Sequence, residues 1–314
     1  MSLIELIEQS AAQLAAAGVA FGHGTTNAFD EAAWLVLWQL GLPLDTPLKG
    51  PRSLANRPVA PDKYAQVASL LIARIESRKP AAYLTQEAWL QGTPFYVDER
   101  AIVPRSFIAE LLVDGTIDAW LGEETLRQSQ RSALRDSHHS SLRVLDLCTG
   151  NGSLAVLAAL AYPDVQVDAS DISADALAVA RINVERHALQ DRITLLESDG
   201  LELMQGPYEL ILCNPPYVNA KSMARLPAEY RAEPALALDG NRQGGTDGMD
   251  FIRTLVRNAP KYLSPPAVLV LEIGNERENF EAAFPALEVI WLPTSAGVDQ
   301  VLLVTRDALV QNGS

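Results

Sequence analysis

The fold is decided by the stretch Val144-Leu145-Asp146-Leu147-Cys148-Thr149-Gly150-Asn151-Gly152. Its apolar start predicts a buried strand, and Gly150 and Gly152 predict a tight turn that lets the backbone approach a ligand closely. The apolar run from Ser153 to Tyr162 predicts the helix that follows, whose first N–H groups are free to bind a polar ligand. A strand, a glycine loop and a helix in this order are typical of nucleotide sites in α/β sheets.

Strand and helix patterns alternate through the rest of the carboxyl-terminal part of the chain. Strands separated by helices predict a mostly parallel sheet with helices on both faces. The last two strand patterns instead flank Ala296-Gly297, which predicts an antiparallel hairpin on that sheet. After the first strand, further strands are predicted at 165–169, 193–196, 209–213, 268–273, 287–292 and 300–305, and further helices at 173–187 and 249–262.

The amino-terminal residues 1–80 follow a helical pattern. Apolar side chains recur at helical spacing from Ile4 to Ala15, and similar apolar faces follow from Asn27 to Leu40 and from Pro61 to Ile75. No titratable cluster with catalytic spacing occurs in this region. We therefore expect residues 1–80 to form a small helical domain that recognises the substrate and leaves the chemistry to the rest of the chain.

Residues 81–104 are predicted to form a β-hairpin that links the helical domain to residues 105–314. Gly92-Thr93-Pro94 supplies the turn of this hairpin. A further helix is predicted from Ser106 to Leu121. The strand-like residues around the turn lie at 83–85, 88–90 and 95–97.

The composition of the 314 residues narrows the function classes. The 25 basic and 39 acidic side chains give a net charge of −14, which argues against an enzyme that follows a phosphate backbone and favours a basic partner. The two cysteines are too few for a disulfide framework and no apolar run is long enough to span a membrane, so we expect a cytoplasmic protein. The adjacent His138 and His139 have no carboxylate or cysteine at ligand spacing, and no metal site is predicted.

Two carboxylates follow the second and third strands of the predicted sheet. Asp171 comes about 20 residues after the glycine loop, where an acid binds ribose hydroxyls in nucleotide-type sites. Asp199, next to Gly200, is either an acceptor for the exocyclic amine of an adenine or a solvated acid in a turn. Because the usual third glycine is absent after Gly152, these residues leave the cofactor open between a dinucleotide and S-adenosylmethionine.

The most specific motif is Asn214-Pro215-Pro216-Tyr217, which directly follows the fourth strand. The two prolines restrict the loop and remove two N–H donors. The Asn214 side chain and the Pro215 carbonyl can each accept a hydrogen, and two such acceptors would hold a planar –NH₂ group. Tyr217 adds a flat apolar wall. The motif therefore predicts a site that modifies an amide or exocyclic amine nitrogen.

Together with the Asp146 loop and Asp171, this motif resembles the class I S-adenosylmethionine-dependent methyltransferases that modify nitrogen. The helical amino-terminal part, Val103-Pro104-Arg105, the run from Tyr230 to Leu238 and Gly245-Thr246-Asp247-Gly248 are similar to the HemK/PrmB family of protein-(glutamine-N5) methyltransferases. The resemblance covers nearly the whole chain. It implies a Rossmann-like α/β fold with a mostly parallel seven-stranded sheet, and a small helical domain joined to it by a β-hairpin.

The resemblance also implies a cofactor and a set of site residues. S-adenosylmethionine would be bound and released as S-adenosylhomocysteine, without a metal. Asn214, Pro215 and Tyr217 would act in catalysis. Pro216 and Arg105 would join them in binding the substrate. The cofactor would contact Asp146, Cys148, Thr149, Gly150, Asn151, Gly152, Asp171, Ile172, Asp199, Gly200 and Asn214.

Two branches of this family act on different proteins of the translation apparatus. The run from Arg105 to Leu111, Cys148 and Glu229-Tyr230-Arg231 are similar to the branch that acts on ribosomal protein L-three, rather than on peptide-chain release factors. The chain departs from the residues usual in the family at Asn151 and Gly200. The implied partner is a basic ribosomal protein or, alternatively, a release factor, with no membrane and no direct nucleic-acid contact.

Three other functions stay open at the level of sequence. A DNA adenine-N6 methyltransferase would use the same acceptors on an exocyclic amine, but the net charge and the lack of a basic recognition region count against it. A nicotinamide dehydrogenase would use the glycine loop and Asp171, but it leaves Asn214 to Tyr217 without a role. A cofactor-binding protein without activity would have no need of an intact Asn214.

Overall fold

The computed structural model describes residues 1–121 and 142–313, and the polar segment with His138 and His139 lies outside these ranges. A two-stranded hairpin, β1 (Ala88–Leu90) and β2 (Thr93–Phe95), precedes a seven-stranded sheet. The strands of that sheet are β3 (Arg143–Leu147), β4 (Gln166–Asp171), β5 (Ile193–Glu197), β6 (Tyr208–Cys213), β7 (Leu263–Glu272), β8 (Ile290–Thr294) and β9 (Gly297–Thr305).

The seven-stranded sheet is mostly parallel, as the alternating pattern predicts. Its order is β5-β4-β3-β6-β7-β9-β8, in which β9 is antiparallel to both of its neighbours and the first five strands are parallel. The chain builds outward from β3 through β4 to β5 and then returns to β6 on the other side of β3. The connections after β3 and β6 therefore diverge, which opens a crevice at the carboxyl ends of these two strands.

Alternating side chains of the strands build one core on each face of the sheet. Val144 in β3 points to the face that helix Ser153–Ala161 covers, and the next residue, Leu145, points to the face that helix Asp250–Asn258 covers. Both side chains are fully buried. Burying such a side chain contributes about 1.5–3 kcal/mol relative to leaving it exposed. The two cores hold the strand ends, and with them the crevice, in fixed positions.

The amino-terminal helices Leu3–Ala16, Ala28–Gln39 and Pro61–Ser77 pack around a third core. The first begins with a capping box, in which Ser2 and Glu5 each accept the other's backbone N–H through their side chains. Across the described part of the chain, no helix is long and apolar enough to cross a bilayer. Further helices span Ala81–Thr85, Ile108–Val113, Asp118–Leu121, Ala174–Arg186, Ala220–Met223, Ala228–Arg231, Arg277–Ala283 and Arg306–Asn312, with 3-10 turns at Ala235–Ala237 and Ala259–Lys261.

Two stretches beside the hairpin differ from the sequence prediction. Residues 83–85 are the end of helix Ala81–Thr85 and not a strand, because the Thr85 hydroxyl donates to the Ala81 carbonyl within a single helical turn. The predicted helix from Ser106 to Leu121 is two short helices, which Gly115 separates with a φ of +76°. The hairpin turn is Gln91-Gly92, whose φ values are +48° and +73°, and not the predicted Gly92-Thr93-Pro94, because Thr93 and Pro94 pair with Leu90 and Trp89 as part of β2.

Candidate active site

A cavity of about 590 Å³, here called the central cavity, opens at the carboxyl ends of β3, β4, β6 and β7. Residues of the loop from Gly22 to Thr26 line it too, so the amino-terminal region also contributes to its wall. Asp146 and Gly152 lie behind the lining. The other predicted site residues line the central cavity, namely Arg105, Cys148, Thr149, Gly150, Asn151, Asp171, Ile172, Asp199, Gly200, Asn214, Pro215, Pro216 and Tyr217.

The glycine loop after β3 takes its shape from three residues with positive φ. Cys148, Gly150 and Gly152 have φ values of +60°, +56° and +81°. This conformation costs a residue with a side chain about 1–2 kcal/mol, which Cys148 bears. At Gly152 an added Cβ would lie 3.1 Å from the Cβ of Ala180. Gly152 therefore allows the loop to pack against helix Ala174–Arg186, and its contribution to a ligand site is indirect.

Asp146 holds the glycine loop onto the helix behind it. Its Oδ2 accepts the backbone N–H of Ala155 at 2.9 Å and the hydroxyl of Thr149. Burial raises the pKa of Asp146 to about 7, although these two hydrogen bonds oppose the shift. Asp146 thus shapes the loop from one layer behind the central cavity.

Asp171 ends β4 and reaches the glycine loop from the neighbouring strand. Its Oδ2 accepts the N–H of Gly150 and its Oδ1 accepts the N–H of Ser173, both at 2.9 Å. Burial raises the pKa of Asp171, while these N–H donors and the charge of Arg242 oppose the shift. Each carboxylate oxygen has a second lone pair, so the oriented side chain can accept hydrogen bonds from a pair of ligand hydroxyls.

An apolar slot lies beside Asp171. Ile172 and Phe251 line it, and an added Cβ at Gly200 would come within 3.4 Å of Phe251 Cε2. Gly200 therefore leaves room for a flat ring, and the exposed Asp199 provides an acceptor at its edge. Sequence reasoning missed Phe251, because it lies on an ordinary amphipathic helix with no motif around it.

Asn214 and Pro215 offer two acceptors at the wall of the central cavity. Within residues 1–121 and 142–313, no hydrogen bond engages the side-chain amide of Asn214 or the carbonyl of Pro215. Both groups that the motif predicts as acceptors are therefore available to a ligand. Two converging acceptors match a ligand nitrogen that carries two hydrogens.

The rest of this loop is held in place by contacts with the segment that follows β7. The Asn219 side chain donates to both carboxylate oxygens of Glu276, at 2.7 and 2.8 Å. The Tyr217 ring lies so close to Gly274 that an added Cβ there would come within 2.6 Å of Tyr217 Cε2. Burial, together with nearby carboxylates, raises the pKa of the Tyr217 phenol, which keeps it neutral. The loop is a preformed part of the site.

Arg105 lines the central cavity with a side chain that is fixed by Glu233. Its two terminal nitrogens donate to Glu233 Oε1 and Oε2, each at 2.7 Å, and its guanidinium lies 5.4 Å from the centre of the Tyr230 ring. His23 of the amino-terminal region lies 3.3 Å from the same carboxylate, and its ring packs against that of Tyr230 at a tilt, with the ring centres 4.3 Å apart. Burial opposes the charge on Glu233, but Arg105 and His23 outweigh it and lower the pKa of Glu233 to about 2.

Glu272 at the end of β7 is a cavity-lining carboxyl that sequence reasoning missed. Its Oε2 accepts the Ser106 hydroxyl at 2.6 Å and the Phe107 N–H at 2.8 Å, which ties the segment after Arg105 to the sheet. Burial raises the pKa of Glu272 to about 7, against the effect of these donors. The one feature of the sequence that points to Glu272 as a site residue is its position as an acid at the carboxyl end of an apolar strand.

The central cavity combines three kinds of contact. Asp171 offers a carboxylate for hydroxyls, the slot beside Phe251 accepts a flat ring, and the loop at Asn214 offers paired acceptors for an amine or amide nitrogen. In the described part of the chain, no three His, Cys, Asp or Glu side chains are grouped so that they could hold a metal ion. The lining therefore suits a ribonucleoside-containing molecule placed next to a substrate nitrogen.

Comparison with known proteins identifies chains that are similar to this one. Residues 132–232 match the methyltransferase small domain family. A protein of Bordetella pertussis named ribosomal protein uL3 glutamine methyltransferase is 50% identical, over 98% of this chain and 96% of its own length. A protein of the same name from Burkholderia pseudomallei is 48% identical, over 97% and 94%. A solved methyltransferase from Pyrococcus furiosus aligns at a TM-score of 0.45 and 15% identity, over 78% of this chain and 98% of its own.

Proposed function

The chain belongs to the family of ribosomal protein uL3 glutamine methyltransferases, and we propose that it transfers a methyl group from S-adenosylmethionine to a glutamine side-chain nitrogen of uL3. The observation that carries this proposal is the pair of unengaged acceptors, the Asn214 side chain and the Pro215 carbonyl, at the wall of the central cavity. A primary amide nitrogen carries two hydrogens, and the two acceptors match them in number.

S-adenosylmethionine suits the central cavity through the chemistry of its lining. Asp171 would accept the ribose hydroxyls, and Ile172 and Phe251 would flank the adenine. Asp199 would accept a hydrogen from the adenine amine. When bound, the cofactor would supply an electrophilic methyl group. The volume of about 590 Å³ lies within the range of sites that enclose a ligand of this size.

Asn214 and Pro215 would prepare the substrate amide for reaction. An amide nitrogen is a poor nucleophile, because its lone pair is delocalised into the carbonyl group. By accepting both amide hydrogens, the two residues would fix the direction of the nitrogen and stabilise the positive charge that develops on it. Tyr217 would pack against the flat amide. The nitrogen would release a proton after it has gained the methyl group.

The charge of the chain supports a basic protein substrate. A net charge of −14 speeds the encounter with a basic ribosomal protein and disfavours direct binding of nucleic acid. We assign the reaction to the cytoplasm, where ribosomal proteins are assembled into ribosomes. We also propose that residues 1–80 recognise the substrate, since the loop from Gly22 to Thr26 reaches the central cavity from this region.

Asp171→Ala is expected to weaken S-adenosylmethionine binding at least tenfold. The substitution removes hydrogen bonds to a charged group, and such bonds are worth about 1.5–3 kcal/mol. Isothermal titration calorimetry measures the change. Asp175→Ala, which removes the same charge from an exposed site four residues later, is the matched control and should bind as the wild type does. Unchanged affinity in a folded Asp171→Ala protein would refute the ribose contact.

The proposed function is tested by methyl transfer to separate substrates. Purified uL3, a peptide-chain release factor and duplex DNA are each incubated with the chain and methyl-labelled S-adenosylmethionine. We expect label in uL3, with little in the other two. Label in the release factor alone would move the chain to the other branch of the family, and label in DNA would overturn glutamine methylation.

A further inference from the structure

A second cavity of about 560 Å³, here called the side cavity, lies next to the central cavity. Gly24, Thr25 and Pro104 line both cavities, so the two spaces share one wall. The side cavity lies between the amino-terminal helices and the β1–β2 hairpin, and Trp34 and Trp89 are part of its lining. None of the contacts assigned to the cofactor or the target amide uses it.

Trp89 gives the side cavity a large, oriented apolar surface. It is 46% exposed, and it is the one tryptophan among the exposed large apolar residues of the described chain. Its indole N–H donates to Glu87 Oε1 at 2.7 Å, which holds the ring in one direction. Trp34 adds a buried ring from helix Ala28–Gln39. A fixed, exposed tryptophan at the edge of a concave space is typical of a surface that anchors a partner.

We propose that the side cavity binds the basic polypeptide segment of the protein substrate that adjoins the target glutamine. The inference rests on the function proposed above. A glutamine within a protein continues into backbone on both sides, and an extended chain advances about 3.3 Å per residue. Residues a few positions from the glutamine therefore leave the central cavity. Because Gly24, Thr25 and Pro104 line both cavities, the side cavity is a neighbouring concave surface that those residues of the substrate can contact.

The charges at the side cavity favour a basic segment over an acidic or apolar one. Asp45 lines the cavity and is exposed, and Glu87 lies beside Trp89. Within the described ranges, neither carboxylate forms an ion pair. A lysine or arginine can lay its aliphatic stem along a tryptophan and extend its charge to a carboxylate beyond it.

The first test is steady-state methylation of purified uL3 by full-length Trp89→Ala. We expect KM for uL3 to rise about tenfold or more, since tryptophan anchors often dominate binding. The value of kcat at saturating uL3 and the Kd for S-adenosylmethionine should stay at wild-type levels. Ile72→Ala is the matched control, because Ile72 is also exposed on the amino-terminal region but lines neither cavity.

The second test addresses the charge. Asp45→Lys should raise KM for uL3 at low salt, and the difference from wild type should shrink as ionic strength rises. Glu8→Lys reverses an exposed charge on helix Leu3–Ala16, outside both cavities, and should leave KM unchanged. A purely apolar contact would not show this salt dependence.

The outcomes separate this inference from the function on which it rests. If wild-type protein methylates uL3 and KM is unchanged in both Trp89→Ala and Asp45→Lys, the side cavity is not the substrate site, while the proposed function stands. If wild-type protein binds S-adenosylmethionine but does not methylate uL3, the proposed function is refuted, and so is the proposal that a segment of uL3 binds in the side cavity. If Trp89→Ala alters only the oligomeric state in light scattering, the side cavity contacts a second copy of the chain and the inference is overturned.

Discussion

Asn214→Ala is expected to lower kcat for glutamine methylation by about 10²–10³. The substitution removes one of the two acceptors that we propose orient the substrate amide and stabilise its developing charge. The affinity for S-adenosylmethionine should change much less, because in the proposed binding mode Asp171 and the slot beside Phe251 make most of that contact. The fold should be retained, since no described residue forms a hydrogen bond with the Asn214 side chain.

Asn214→Asp separates two roles of the side chain, acceptance of a hydrogen bond by its oxygen and donation by its –NH₂ group. A carboxylate still accepts a hydrogen bond, so partial activity would indicate that acceptance is what the reaction needs. Single-turnover methylation with enzyme in excess gives the rate free from product release. Asn258→Ala, a substitution at a half-buried helical asparagine outside the lining of the central cavity, is the matched control. A wild-type rate in folded Asn214→Ala would reduce the motif to a structural turn.

Arg74→Ala is expected to lower the free energy of unfolding by about 3–5 kcal/mol, the range for breaking a buried ion pair by removing one partner. Arg74 is fully buried, with Nε 2.8 Å from Glu31 and Nη1 3.5 Å from Glu229. Its Nη2 also donates to the Ala20 carbonyl at 3.0 Å. Burial already raises the pKa of Glu31, and Arg74 is the main group that opposes this shift.

This ion-pair network joins the two halves of the chain. Glu31 and Arg74 belong to the amino-terminal helices, whereas Glu229 belongs to the short helix Ala228–Arg231 of the carboxyl-terminal part. The next residue, Tyr230, lines the central cavity. Buried ion pairs therefore connect residues 1–80 to the carboxyl-terminal part of the chain.

Urea denaturation followed by circular dichroism measures the effect of Arg74→Ala. We expect a lower midpoint at an unchanged m value, because the extent of unfolding stays the same. Arg57→Ala removes an exposed arginine from the same region and should shift stability by less than about 0.5 kcal/mol. If Arg74→Ala lowers the free energy of unfolding by less than about 1 kcal/mol, the buried ion pairs do not contribute the stability that we expect of them.

The parts of the fold that sequence predicted are those with local signals. The continuously buried run of β3 and the glycines after it are readable within ten residues, and so is the proline-restricted loop at Asn214. The fold class follows from these signals, because alternating strands and helices permit few arrangements. Helix Ala81–Thr85 is not predicted because residues 83–85 have strand-like content, whereas its backbone hydrogen bonds, such as that from the Gln86 N–H to the Ala82 carbonyl, are visible only in the structure.

The parts that sequence reasoning missed depend on contacts between distant residues. Arg74 and Glu229 are 155 positions apart, so neither reveals the other in a local pattern. Glu272 and Phe251 reach the central cavity only because the sheet order brings β7 and its preceding helix beside β6. Arg105 was assigned to substrate binding from the resemblance alone. Its two hydrogen bonds to Glu233 are seen only in the structure.

The most direct measurement is tandem mass spectrometry of uL3 after incubation with the chain and S-adenosylmethionine. We expect one added methyl group, located by fragmentation on the side-chain nitrogen of a glutamine, and no such addition with Asn214→Ala at the same exposure. A methyl group on a lysine, an arginine or the amino terminus of uL3, or an unmodified uL3 in the presence of folded, cofactor-bound protein, would contradict glutamine methylation.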